Sequence, residues 1–226
     1  MDTPFKEILS LDLYQLLKPC QSLFKLSKMK QPDLENFVGI HNRKYCDGGQ
    51  CIRLYKTFMK KKDPEAANIV MGHNEEDLLG LGTIFSLLAY KKLYDGEYHP
   101  KQCVILEQEL KIVIELSAAA PVNVSCGNSD FYLSVNGYEA RMLVHLKEGK
   151  LRQYYRNYKD YEFIPGEDTA MPKSITRYMD KSLKIATTPQ TCYTWFNCDE
   201  DFLNNEKKQM QYLTHTLPFF LDNLNK

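Results

Sequence analysis

The chain has 226 residues and is 43% apolar, enough to bury a core as one domain or two small ones. Its 29 Lys and Arg balance its 29 Asp and Glu, so no global positive field draws it onto a phosphate backbone or an anionic membrane, and any nucleic-acid contact must come from a local patch. The seven cysteines are odd in number and contain no Cys-x-x-Cys pair, which offers neither a zinc knuckle nor a redox motif and fits reduced thiols in the cytoplasm.

The first residues, Met1 to Leu17, carry Asp2, Lys6, Glu7 and Asp12 among their apolar positions, which interrupts the core a signal peptide needs. Leu11, Leu13, Leu16 and Leu17 fit a short strand or turn running into a helix, with Asp12 as its cap and Pro19 ending it. A helix beginning near Pro32 would share Leu34, Phe37 and Val38 on one face and stop at Gly39. Asp47-Gly48-Gly49 reads as a turn, and a helix from Cys51 would point Leu54, Tyr55 and Phe58 inward before Lys60-Lys61-Lys62. Asp63-Pro64-Glu65 is the clearest helix start, opening a pattern that runs, with a bend near Gly72, to about Leu93. Its most apolar run, Leu78 to Tyr90, is too short to span a bilayer, so no membrane association is expected.

After His99-Pro100 the pattern turns to strands: Val104 to Glu109, Lys111 to Leu116, Phe131 to Val135, Ala140 to Leu146 and Leu151 to Tyr155. Asn136-Gly137 and Glu148-Gly149 are the turn signals between the last three. Lys111 to Leu116 alternates, so one face should be buried. Thr169 to Ala186 has helical spacing in Ile175, Tyr178 and Met179, and Glu200 to Leu224 reads as a closing helix bent at Pro218.

The stretch that carries chemistry is His73-Asn74-Glu75-Glu76-Asp77. On a helix, His73 and Asp77 share a face that continues through Leu81, Ile84 and Leu88. A carboxylate there can help hold a divalent metal, and a neighbouring imidazole can take a proton from the water that attacks a phosphodiester. The same spacing describes an ordinary i to i+4 pair with Glu75 and Glu76 facing solvent, and from spacing alone that is the commoner case. Gly80 and Gly82, with no preceding strand, read as packing and not as a nucleotide loop.

Further along, a strand bearing Arg152, Tyr154, Tyr155 and Arg156 interleaves base-stacking rings with phosphate-pairing cations and could grip single-stranded nucleic acid. An edge strand with a solvated basic face and half-buried tyrosines is the commoner outcome of such a pattern. His41, Cys46 and Cys51 fit no standard zinc spacing, Cys192 and Cys198 flank Trp195 as core thiols, and His145 reads as a satisfied structural histidine.

Leu11-Asp12-Leu13-Tyr14 through Lys18-Pro19, Leu26 through Val38-Gly39-Ile40, Gly48-Gly49 followed by Tyr55, and His73 to Asp77 through Leu88-Ala89-Tyr90 together resemble the YprB-type ribonuclease H-like exonuclease family, of the DnaQ-like, DEDD type. Tyr155 to Tyr161, Pro165 to Ala170, Lys173-Ser174, Asp180-Lys181 and Thr191-Cys192-Tyr193 resemble the accessory region that follows its nuclease domain. The resemblance implies metal-dependent 3′–5′ cleavage of DNA or RNA with Mg2+ or Mn2+ on several carboxylates, Asp77 being the metal ligand and His73 the candidate base. The family's Asp-x-Glu strand and its second Asp find no counterpart here, so only the last motif maps; a broken or incomplete sequence, a separate partner chain supplying the amino-terminal half, and a non-catalytic remnant each account for this. The expected architecture is therefore α/β plus α+β: an incomplete, mostly helical ribonuclease H-like fragment over residues 1–98 and a strand-rich α+β accessory region over 99–226. A non-catalytic nucleic-acid-binding or vestigial interaction protein is the alternative.

Overall fold

The computed structural model describes residues 10–41, 43–45 and 48–224, so the sequence readings of Asp2, Lys6, Glu7, Cys46 and Asp47 lie outside the described residues. The chain forms two compact units, Met1–Leu88 and Ala89–Lys226, dividing ten residues before the boundary read from the sequence.

The described part of unit 1 is helical throughout. Helix α1 (Leu13–Leu17) starts where the Asp12 carboxylate accepts the amide N–H of Gln15 at 3.1 Å, so the strand considered for this segment does not form. A 3-10 turn carrying Pro19 leads into α2 (Gln21–Phe24), which ends at Lys25 in the left-handed region. Helix α3 (Gln31–Phe37) buries Leu34 and, unexpectedly, Glu35, and Gly39 at φ +92° follows its end. Helix α4 (Gly48–Lys61) buries Cys51 but leaves Tyr55 exposed, contrary to the inward position expected from spacing.

Helix α5 (Pro64–Ile84) begins at Asp63, whose carboxylate accepts the Glu65 N–H at 3.0 Å, and runs unbroken through Gly72. Its buried line is Ala66, Gly72, His73, Gly80 and Ile84, while Leu78 and Leu79 are 71% and 68% exposed. The expected apolar stripe survives only at Ile84, since Leu81 is exposed and Leu88 half-buried. A helix with polar groups inward and leucines outward inverts the usual arrangement, and the groups on its inner face explain why.

In unit 2, α6 (Leu88–Asp95) buries Ala89, Tyr90 and Leu93, and the Tyr90 hydroxyl donates to the Val122 carbonyl. Three antiparallel strands follow in the order β1 (Tyr98–Leu106), β2 (Glu109–Gly127) and β3 (Phe131–His145). Strand β2 buries Leu110, Ile112, Ile114 and Leu116 in strict alternation, as its pattern requires. The expected turn at Asn136-Gly137 is instead an irregular, bulged stretch within a continuous strand: Glu115 to Val124 on β2 lies opposite Glu139 to Val135 on β3, with register shifts on either side of the Ala120–Gly137 pair and Gly137 at φ +55°. The excess on β2 is odd, so the buried parity of β3 switches from Phe131, Leu133 and Val135 to Ala140, Met142 and Val144.

The expected turn at Glu148-Gly149 forms, with φ of +53° and +74°, and leads into β4 (Lys150–Tyr154). Strands β5 (Tyr161–Ile164), β6 (Thr169–Pro172) and β7 (Ile185–Ala186) make a small sheet in the order β6-β5-β7. The helix expected over Thr169 to Ala186 reduces to α7 (Lys173–Thr176), because Ile175 and Tyr178 find no core and stay exposed. Strand β8 (Tyr193–Asn197) pairs antiparallel with β4. The closing helix is split at Asn204-Asn205 into α8 (Glu200–Leu203) and α9 (Glu206–Asp222), with a side-chain cap from Asn205 and Pro218 inside the second. Tyr212, Leu213, Leu217 and Phe220 bury the inner face of α9.

Candidate functional site

His73 and Asp77 lie one turn apart on the inner face of α5, as expected. The His73 Nε2 is 3.6 Å from Asp77 Oδ2, too long for a hydrogen bond, and the buried Nδ1 has no partner among the described residues. His73 is only 8% exposed, which leaves little access for a water it would have to activate.

What organises this face is a pair that no motif or spacing singled out. Arg43 donates to both carboxylate oxygens of Glu35, Nε to Oε2 at 2.7 Å and Nη2 to Oε1 at 2.9 Å, and Nη2 also reaches Asp77 Oδ1 at 2.5 Å. Gln31 joins them, its Nε2 donating to Glu35 Oε1 at 2.9 Å and to the Asp77 carbonyl at 2.8 Å. Glu35 is 2% exposed, and burial by itself pushes its carboxyl up; hydrogen bonds from Arg43 and Gln31 and the Arg43 charge outweigh burial and hold it below its ordinary value. Arg43 is pushed upward, first by the Glu35 hydrogen bond, against the opposing effect of its own burial.

Two glycines make the close approach possible. A Cβ at Gly80 would stand 1.9 Å from Glu35 Oε1, and one at Gly72 would stand 2.3 Å from the Tyr45 ring. Gly82, by contrast, faces open space. Glu76, expected in solvent, is half-buried and accepts the backbone N–H groups of Lys44 at 2.8 Å and Tyr45 at 3.3 Å, which ties the loop bearing Arg43 to α5.

This arrangement does not fit a divalent metal. Asp77 Oδ1 is held by a guanidinium, and among the described residues no three His, Cys, Asp or Glu side chains converge as ligands. Nor do the other candidate ligands: His41 Nδ1 is 3.3 Å from Asn36 Oδ1.

In unit 2 the four candidate nucleic-acid residues divide. Arg152 lies 4.7 Å from the ring centroids of both Tyr193 and Trp195. Tyr154 is buried and stacks on Phe219 at 3.9 Å. Tyr155 accepts from Gln153 Nε2 at 2.9 Å, lies 3.1 Å from Thr194 Oγ1 and stacks on Tyr161 at 5.1 Å, whereas Arg156 is exposed and paired with Asp222 at 2.9 Å. Burial pushes the Cys192 and Cys198 thiols up to about 11, which suits inert core thiols.

Residues 1–89 match the family model of the RNase H superfamily, a span that contains every residue of the Glu35–Arg43–Asp77 cluster. No curated protein and no solved structure matches the chain. No helix among the described residues is long and apolar enough to cross a membrane.

Proposed function

We propose that the chain serves an RNase H-like nuclease, contributing the last acidic motif, His73 and Asp77, to metal-dependent 3′–5′ cleavage of nucleic acid as in the YprB-type family. The observation that carries this reading is the position of Asp77: it lies within the matched residues and, alone among the cluster's acids, keeps a carboxylate 36% open to solvent. The described residues do not form the Mg2+ or Mn2+ site by themselves, so the reading requires further carboxylates from another segment or a separate chain. A single strand would meet unit 2 at Arg156 and the edge of Tyr155, because Arg152 and Tyr154 are turned inward. The free thiols of Cys103, Cys192 and Cys198 support the proposal of a reducing compartment such as the cytoplasm.

The test is hydrolysis of labelled single-stranded DNA and RNA with Mg2+ or Mn2+, comparing this chain with a fusion to an amino-terminal half from the family. Cleavage by the fusion, lost in Asp77→Asn, is the expected result. A folded fusion with no activity would sink the catalytic reading.

The Arg43–Asp77 contact favours a second reading, a non-catalytic nucleic-acid-binding or interaction protein in which Asp77 serves as a structural acid. Its signature is strand binding without metal that Asp77→Asn leaves unchanged.

A further inference from the structure

Unit 2 contains a small cavity of about 100 Å³ between β3, β4, β8 and α9, lined among others by His145, Lys147, Arg152, Trp195, Tyr212 and Thr216. Three of its lining groups, Arg152 Nε, Tyr212 Oη and Thr216 Oγ1, make no hydrogen bond of good geometry among the described residues; the Tyr212 and Thr216 hydroxyls are near enough to interact with each other, and Arg152 with the Tyr154 hydroxyl, but neither contact satisfies these atoms. Tyr212 and Thr216 are each 1% exposed and stand one turn apart on α9. Buried hydroxyls and guanidinium N–H groups in a folded protein are almost always paired, so three orphans on one cavity wall indicate an occupant.

The chemistry of the wall narrows that occupant. All three orphans can donate, and Lys147, over the Trp195 ring at 5.4 Å, adds a second cation. Lys147 also stands 4.0 Å from Asp168, and with Asp130 exposed on the wall the two cations face two carboxylates, so recognition rests on the directed donors and not on net charge. His145, expected as a satisfied structural histidine, is exposed on this wall. The volume equals about three liquid waters, the size of one oxyanion group. A tetrahedral phosphate offers oxygens to donors arriving from several sides, whereas a planar carboxylate offers two. Arg152 is held in place beforehand by the Tyr193 and Trp195 ring faces, which position its planar fork while leaving its edge available.

We propose that this cavity is an oxyanion site that takes a phosphate group, bound by Arg152 with the Tyr212 and Thr216 hydroxyls. The site stands in unit 2 and is independent of the reading of α5. The phosphate is either a free anion or the end of a nucleic-acid strand, the same chemistry from two sources.

Trp195 is the one tryptophan of the chain and lines the cavity, so its fluorescence reports occupancy. The full chain is titrated with inorganic phosphate, with acetate, and with a dinucleotide carrying or lacking a 5′-phosphate. The expected result is a saturable change with phosphate, and binding weakened about tenfold in each of Tyr212→Phe and Thr216→Val, the factor for one hydrogen bond to a charged group. Both variants keep the shape of the core, and near-UV circular dichroism checks that they are folded. Equal binding of inorganic phosphate and the phosphorylated dinucleotide assigns the free anion; tighter binding of the phosphorylated dinucleotide, with none of the unphosphorylated one, assigns the strand end. The proposal is overturned if folded native chain gives no saturable response, if acetate binds as well as phosphate, or if the two variants bind phosphate as the native chain does.

Discussion

Each unit shelters one arginine from solvent, and the two are handled in opposite ways. Arg43 in unit 1 spends its donors on Glu35 and Asp77, and the neighbouring glycines of α5 let the carboxylates come close. Arg152 in unit 2 is held by two aromatic faces, and its Nε has no partner among the described residues. A guanidinium satisfied by carboxylates is a structural joint, because removing either partner strands a buried charge. A guanidinium held chiefly by ring faces, with one contact to the Tyr154 side chain, retains its Nε–H for something else. The same residue type thus serves architecture in one unit and recognition in the other.

The largest effect should come from breaking the satisfied pair. Arg43→Ala leaves Glu35 buried without its counter-charge and should destabilise unit 1 by about 3–5 kcal/mol. Urea unfolding followed by far-UV circular dichroism reports all helices, α9 of unit 2 included, so the expected result is an early partial loss of helical signal from unit 1 while Trp195 fluorescence, which reads unit 2 alone, moves little. If both signals shift together, the two units do not unfold independently and the comparison between them fails.

Gly80→Ala should cost about 1–3 kcal/mol, since the new Cβ meets a carboxylate that Arg43 and Gln31 hold in place. Gly82→Ala, two residues along the same helix and facing open space, should instead gain up to about 1 kcal/mol. Opposite signs at the two positions would show that close approach, and not helix propensity, sets the identity of Gly80.

Acid should act on the same joint. Glu35 has a folded-state value below its ordinary 4.5, so its contribution is complete above that pH, where both states are ionised. It is lost as the pH falls from there toward the lowered folded value, because the unfolded chain binds the proton first. Stability curves for native chain and Glu35→Gln should therefore converge below pH 4.5, and curves that stay parallel would show that Glu35 is not the group responsible.

Much of this arrangement was legible in the sequence where one residue type dictates one local geometry. Asp63-Pro64 and Asp12 cap helices because their carboxylates reach nearby amides, Glu148-Gly149 turns because both residues tolerate positive φ, and β2 alternates because one of its faces is buried. Asn136-Gly137 offered the same turn signal, but β2 supplied extra residues opposite it, and a bulge requires knowledge of the partner strand. The shared helix face of His73 and Asp77 was legible in their spacing. Glu35 and Arg43 were not, since Glu35 sits among the apolar positions of a short helix and Arg43 in a loop with no period. Their only trace is Gly80, a small residue on a face where an apolar one was expected. Tertiary pairing between a loop and two helices leaves no periodic mark on the chain.

The smallest effect is the one that separates the two arginines most sharply. Arg152→Met keeps a flexible chain of similar reach between Tyr193 and Trp195 and removes an N–H that has no partner. In phosphate-free buffer the loss of two cation–π contacts is offset by the relief of a desolvated charge, so stability should change by no more than about 1 kcal/mol. In phosphate the native chain gains from its bound ligand and the variant does not, so a difference between the two should open only as phosphate is added. A large loss in phosphate-free buffer would instead make Arg152 a structural joint like Arg43, and the contrast between the units would disappear.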